Sequence, residues 1–140
     1  MKAMVMIQHP QERMLVTQGL QASGVSVQQA SNVTSLEPGW GMESIDVVIL
    51  AAAPEQMHEA VRQIRMVSAA PLIVIADLIE EKDRMALYVG GADMVFARPY
   101  SLRFLLMQAG TIAYRVGGTH WPQPSTAPMN TLTAKTLLAS

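Results

Sequence analysis

The residues able to do chemistry are few, and most of them follow short apolar runs. Gln8 and His9 follow "AMVMI" (3–7), Asp77 follows "LIVIA" (72–76), and Arg98 follows "MVFA" (94–97). A lone carboxylate such as Asp77 does general acid–base work only with a partner and a perturbed pKa, and no Ser, Cys or Lys stands beside it. It reads more simply as a helix-start residue or as the partner of Arg98. A guanidinium such as Arg98 can bind an anion. The plainer reading pairs it with Asp77 or leaves it facing water, where an ion pair costs little. His9, His58 and His120 are too dispersed to hold a metal. The chain has no cysteine, which excludes disulfides and thiolate metal sites. A further run, "DVVIL" (46–50), ends in Ala51-Ala52-Ala53 and offers nothing that reacts.

The apolar runs position these residues. With "VSVQQ" (25–29) they read as five strands, three of them apolar throughout, as expected of strands covered on both faces. The second alternates and suits a sheet edge. Helical patterns lie between them. "PQERMLVTQGLQA" has Pro10 in its first turn and stops before Gly24. "PEQMHEAVRQIRMV" sets Met57, Val61, Ile64 and Val67 on one stripe. "EEKDRMALYVGG" begins with acids and ends in glycines. "SLRFLLMQAGTIAYRV" starts from Ser101 as N-cap and carries an apolar stripe from Leu102 to Ala113. "SNVTSLEPGWGMES" leaves room for a short helix at most, with Trp40 packed over the sheet edge.

Strands alternating with helices predict a parallel sheet with right-handed crossovers. Five of them in a small domain predict a flavodoxin-like (βα)5 doubly wound α/β fold of strand order 2-1-3-4-5. In that order ligands bind at the carboxyl ends of the first and third strands, here Gln8-His9-Pro10 and Ala51-Ala52-Ala53.

Composition bounds the function. Of 140 residues half are apolar and 15% are charged, with a net charge of −1, so neither a basic nucleic-acid surface nor an acidic tail is present. The N-terminus is too briefly apolar for a signal peptide, and no run approaches the roughly 20 apolar residues of a membrane span. A soluble cytoplasmic domain is expected over residues 1–116. Residues 117–140, rich in Gly, Pro, Ser and Thr, read as a linker or C-terminal tail of the kind that leads into another part of a longer regulator.

In order and spacing, "KAMVMIQHP", "IDVVILAAAP", "PLIVIADLIEEKDRMALYVGGAD" and "MVFARPYS" resemble a response-regulator receiver (CheY-like) domain over residues 2–116. The Gly91-Ala92-Asp93 turn, a strand, and then Arg98-Pro99 form the most specific part. The resemblance implies a phosphorylation pocket, and this chain departs from it at almost every position. The two metal-binding acids correspond to Ile7 and Gln8, and the phosphoacceptor aspartate to Ala51. The Thr or Ser of the fourth strand corresponds to Ala76, the aromatic switch residue to Val95, and the lysine to Arg98; Pro99 alone is kept. Mg²⁺ wants near-octahedral oxygen ligands that Ile7 and Ala51 cannot supply, and without a carboxylate at 51 nothing accepts a phosphoryl group. The expectation is a non-enzymatic, phosphorylation-independent pseudo-receiver with no metal and no cofactor.

Function then moves to the surface. In receivers the fourth helix, fifth strand and fifth helix form the usual partner face; here these are residues 80–91, 94–97 and 101–116. Tyr88, Val95, Phe104 and Met107 are the candidate contacts of a homodimer there, unless the tail covers them with Trp121 as a plug. The implied partner is an output domain, DNA-binding or ParA-like ATPase, although neither a helix-turn-helix nor a phosphate-loop motif occurs in these residues. Direct nucleic-acid or membrane binding is not expected. The alternative is a small-ligand sensor binding in the emptied crevice, lined by Ala51, Ala53 and Ala76 with Arg98 at its rim. A flavodoxin-like enzyme is disfavoured, since no glycine-rich loop follows the first strand and no catalytic pair is visible.

Overall fold

The computed structural model describes residues 1–31, 44–77 and 79–117. Five parallel strands, β1 (Lys2–Ile7), β2 (Ser26–Ala30), β3 (Val47–Ala51), β4 (Leu72–Ala76) and β5 (Met94–Ala97), pair in the order β2-β1-β3-β4-β5. The predicted order is the observed one. β1, β3 and β4 are buried almost end to end, whereas β2 is largely open to water. Continuous burial explains their unbroken aliphatic runs, because helices cover both sides of an interior parallel strand.

Among the described residues four helices supply that cover: α1 (Pro10–Ala22), α2 (Pro54–Val67), α3 (Glu81–Gly90) and α4 (Leu102–Gly117). One face of the sheet (Val5, Ile7, Ile49, Ala51, Ile73, Ile75) packs on Val16 and Leu20 of α1 and on Leu102, Leu105 and Ala109 of α4. The opposite face (Met4, Met6, Leu50, Val74, Ala76) packs on Met57, Val61 and Ile64 of α2 and Leu87 of α3. Successive strand residues serve opposite cores, as the period of two requires.

Local chemistry sets the helix ends. Pro10 and Pro54 open their helices without wasting an N–H. The Ser101 hydroxyl accepts from the Phe104 N–H at 3.1 Å, the expected N-cap geometry. After α3, Gly91 adopts φ +126°, a conformation that side chains rarely tolerate. One expectation is corrected. Val67 does not join the buried stripe of α2 but is 46% exposed, because the helix ends there and the chain turns away toward β4. On α4, Phe104, Met107 and Tyr114 lie open. The short-helix segment with Trp40, and the tail with His120 and Trp121, fall outside the described residues. Among the described residues no helix is long and apolar enough to cross a membrane.

Candidate functional site at the carboxyl end of the sheet

The fold brings the ends of β1, β3, β4 and β5 to one edge, as strand order requires. Ala51, paired with Ile7 across β1 and β3, is 3% exposed and belongs to the core shared with α1 and α4. Ile7 is fully buried, and Ala76 closes β4 at 7% exposure in the opposite core. Gln8 is exposed, and its backbone N–H donates to the Ala51 carbonyl at 3.1 Å. Tested as a metal site, Ile7 and Ala51 have no donor side chains, so these positions do not fit Mg²⁺. Among the described residues no three His, Asp or Glu side chains come together as a metal-holding group.

Arg98 organises the edge. Its Nε and Nη2 donate to Glu12 Oε2 and Oε1 at 2.9 and 2.7 Å, a bidentate pair that links residues 86 positions apart. Its Nη1 donates to Asp77 Oδ1 at 3.2 Å. The buried Tyr100 hydroxyl donates to Glu12 Oε2 at 3.0 Å. Hydrogen bonding to Glu12, partly opposed by desolvation, raises the Arg98 pKa above its ordinary value. Burial, reinforced by the Glu12 charge, pushes the Tyr100 hydroxyl well above the usual phenol range. Both groups therefore keep their protons and remain donors.

The pairing of Arg98 with Asp77 is observed, but it is the lesser contact, and Asp77 is not the sole carboxylate at the crevice. Sequence reasoning missed Glu12. It lies at the third position of α1, after His9 as N-cap, whose Nδ1 accepts from the Glu12 N–H at 3.4 Å. The available signal was an acid in the first turn of a helix that starts at the same sheet edge as Arg98. The pairing itself spans β3 and β4 and is written nowhere locally.

Beside Arg98 lies a pocket of about 260 Å³, whose lining includes the buried Met57, Ala76 and Leu87, together with Ala52 and Asp77. The expected lining is corrected in part: Ala76 and Arg98 contribute, whereas Ala52 replaces Ala51 and Ala53. Side chains alternate at the strand end, and Ala51 points into the α1–α4 core.

The expected contact residues lie on α3, β5 and α4 and differ in display. Tyr88 is 41% exposed, Phe104 49% and Met107 50%. Val95 is only partly exposed, and its N–H donates to the Tyr88 hydroxyl at 3.1 Å, tying α3 to the free edge of β5. Phe104 packs edge-to-face on Phe96 with ring centroids 5.8 Å apart. Met85 and Val89 on α3 are exposed as well; as apolar residues in a helical segment, they carried no signal of exposure.

No protein-family model matches the chain, and no curated protein matches it by sequence. Solved structures do match it by shape. A two-component response regulator from Clostridium difficile has a TM-score of 0.74 at 17% identity, with 82% of this chain and 97% of that one covered. The signal receiver domain of a histidine kinase from Syntrophus aciditrophicus has a TM-score of 0.71 at 15% identity, covering 91% and 98%. HP1043, an orphan response regulator of H. pylori, has a TM-score of 0.64 at 17% identity, covering 84% and 94%. The fold is thus the flavodoxin-like fold of CheY-like receiver domains.

Proposed function

We propose that this domain is a receiver-type signalling module that works without aspartyl phosphorylation and acts through the face formed by α3, β5 and α4. The observation that carries this reading is the end of β3. A buried Ala51 stands there with Ile7 beside it, and the guanidinium at the same edge is already taken up by Glu12 and Asp77. An acyl phosphate would need a nucleophilic carboxylate, a cation and a free positive side chain to form and persist; these residues offer no such set.

Phe104, Met107 and Tyr114 sit at i, i+3 and i+10 on α4, a repeat that keeps them on one exposed stripe suited to a second helix. The occupant we favour is a second copy of this chain. What the dimer regulates, on this reading, is an output domain of the DNA-binding or ParA-like ATPase type. Light-scattering mass tests the proposal: the wild type runs as a dimer and Phe104→Glu as a monomer with unchanged circular dichroism. A wild type that stays monomeric at high micromolar concentration removes the dimer. A phosphoryl adduct on a carboxylate after incubation with acetyl phosphate and Mg²⁺ removes phosphorylation independence.

A further inference from the structure

Three donors converge on one carboxylate at the sheet edge. Arg98 Nη2 serves Glu12 Oε1, and Arg98 Nε with the Tyr100 hydroxyl serve Oε2. Acids in the first turn of a surface helix ordinarily project into water, yet the Glu12 side chain is only 11% exposed. Planar fork meets planar carboxylate, the geometry with which proteins recognise free carboxylates. The contact is not needed to start α1, which has His9 as N-cap and Pro10 in its first turn. The neighbouring Arg13 guanidinium is turned away to the Ile7 carbonyl at 2.8 Å. Releasing the Glu12 side chain would leave the His9 cap and the start of α1 intact.

We propose that Arg98 and Tyr100 form a carboxylate-recognition site that the chain fills with its own Glu12, closing this edge to outside carboxylates until Glu12 swings out. This goes beyond the dimer reading and stands independently of it. The ligand class is a planar monocarboxylate. Asp77, on the remaining Arg98 nitrogen at 3.2 Å, opposes the extra charge of phosphate. A tethered carboxylate competes at an effective concentration on the order of millimolar or above, so dilute free acids leave the wild type unmoved.

Chemical rescue tests the site. Thermal melting of Glu12→Ala is compared in sodium acetate, sodium chloride and sodium phosphate at matched ionic strength. The variant is expected to melt about 5 °C or more below wild type. Acetate should restore a large part of that loss in a saturable manner, chloride should not, and phosphate should restore less than acetate. Wild type and the Glu12→Ala/Arg98→Met double variant should respond to acetate no more than to chloride. An acetate response that persists without Arg98, or no acetate-specific response in Glu12→Ala, overturns the proposal. A larger rescue by phosphate overturns the carboxylate class. Should Glu12→Ala fail to fold, Glu12→Ser, which likewise leaves no tethered carboxylate, is tested in the same salts; folding or melting that ignores acetate there is equally fatal.

Discussion

Placing an aspartate at position 51 asks whether the edge lacks only a nucleophile. Ala51 is 3% exposed, opposite Ile7 and in one core with Ile49 and Ile75. A carboxylate there would lose its hydration, with Glu12 already on the guanidinium that could neutralise it. Burial of this kind raises a carboxyl pKa by about 2–3 units, and each unit is worth about 1.4 kcal/mol. The charge penalty at pH 7 is thus about 3–4 kcal/mol, against a total stability of roughly 5–15 kcal/mol for a domain. Ala51→Asn adds nearly the same bulk without charge and isolates the steric cost of about 1–3 kcal/mol. Above the unfolded value of about 3.9, the unfolded chain has released its proton while the folded chain still holds it. Stability of Ala51→Asp therefore falls as pH rises, up to the raised folded value. Urea unfolding should show the Asp and Asn variants nearly equal at pH 4. By pH 7 they should be separated by roughly 2 M in midpoint, for a slope of about 1.5 kcal/mol/M. With acetyl phosphate and Mg²⁺, Ala51→Asp should remain unmodified. Parallel pH profiles of the two variants, or a phosphoryl adduct on the new aspartate, would refute the argument that position 51 cannot hold a charge.

Other perturbations follow from single contacts. Gly91→Ala places a Cβ 2.7 Å from Arg65 Cγ at φ +126° and should cost about 1–2 kcal/mol in urea unfolding. Arg65 donates to the carbonyls of Gly91 and Ala70 at 2.9 and 2.6 Å and to Asp93 at 2.9 Å. Arg65→Lys cannot span all three and should lose about 2 kcal/mol by the same assay. The Glu59 carboxyl is held down to about 2 by the Arg62 guanidinium and, next, the Gln63 amide. Its contribution is present above the unfolded value and lost as pH falls through about 2, which carbon-detected NMR titration of the Glu59 carboxyl should reveal. Tyr88→Phe removes the acceptor for the Val95 N–H and should speed amide exchange at Val95 with a stability loss of about 1 kcal/mol.

Much of this molecule is determined by its sequence alone. Aliphatic runs at Ala3–Ile7, Val47–Leu50 and Leu72–Ala76 read as interior parallel strands, because a half-exposed strand would not be apolar on both faces. Five strands alternating with helices in a small domain point to the order 2-1-3-4-5, and that order brings Gln8, Ala51, Asp77 and Arg98 to one edge. That Ala51 offers no reactive side chain is likewise legible, since it is a matter of residue type. What the sequence could not determine is partnership between distant side chains. Arg98 faces Glu12 across two intervening strands because α1 and β5 end at the same sheet edge. Likewise, α4 buries Leu105 while leaving Phe104 open because only one of its sides meets the sheet. Local patterns state how each segment satisfies its own backbone and its own apolar stripe. Which charge finds which, and which apolar side chain is left uncovered, depends on distances that exist only once the layers have packed.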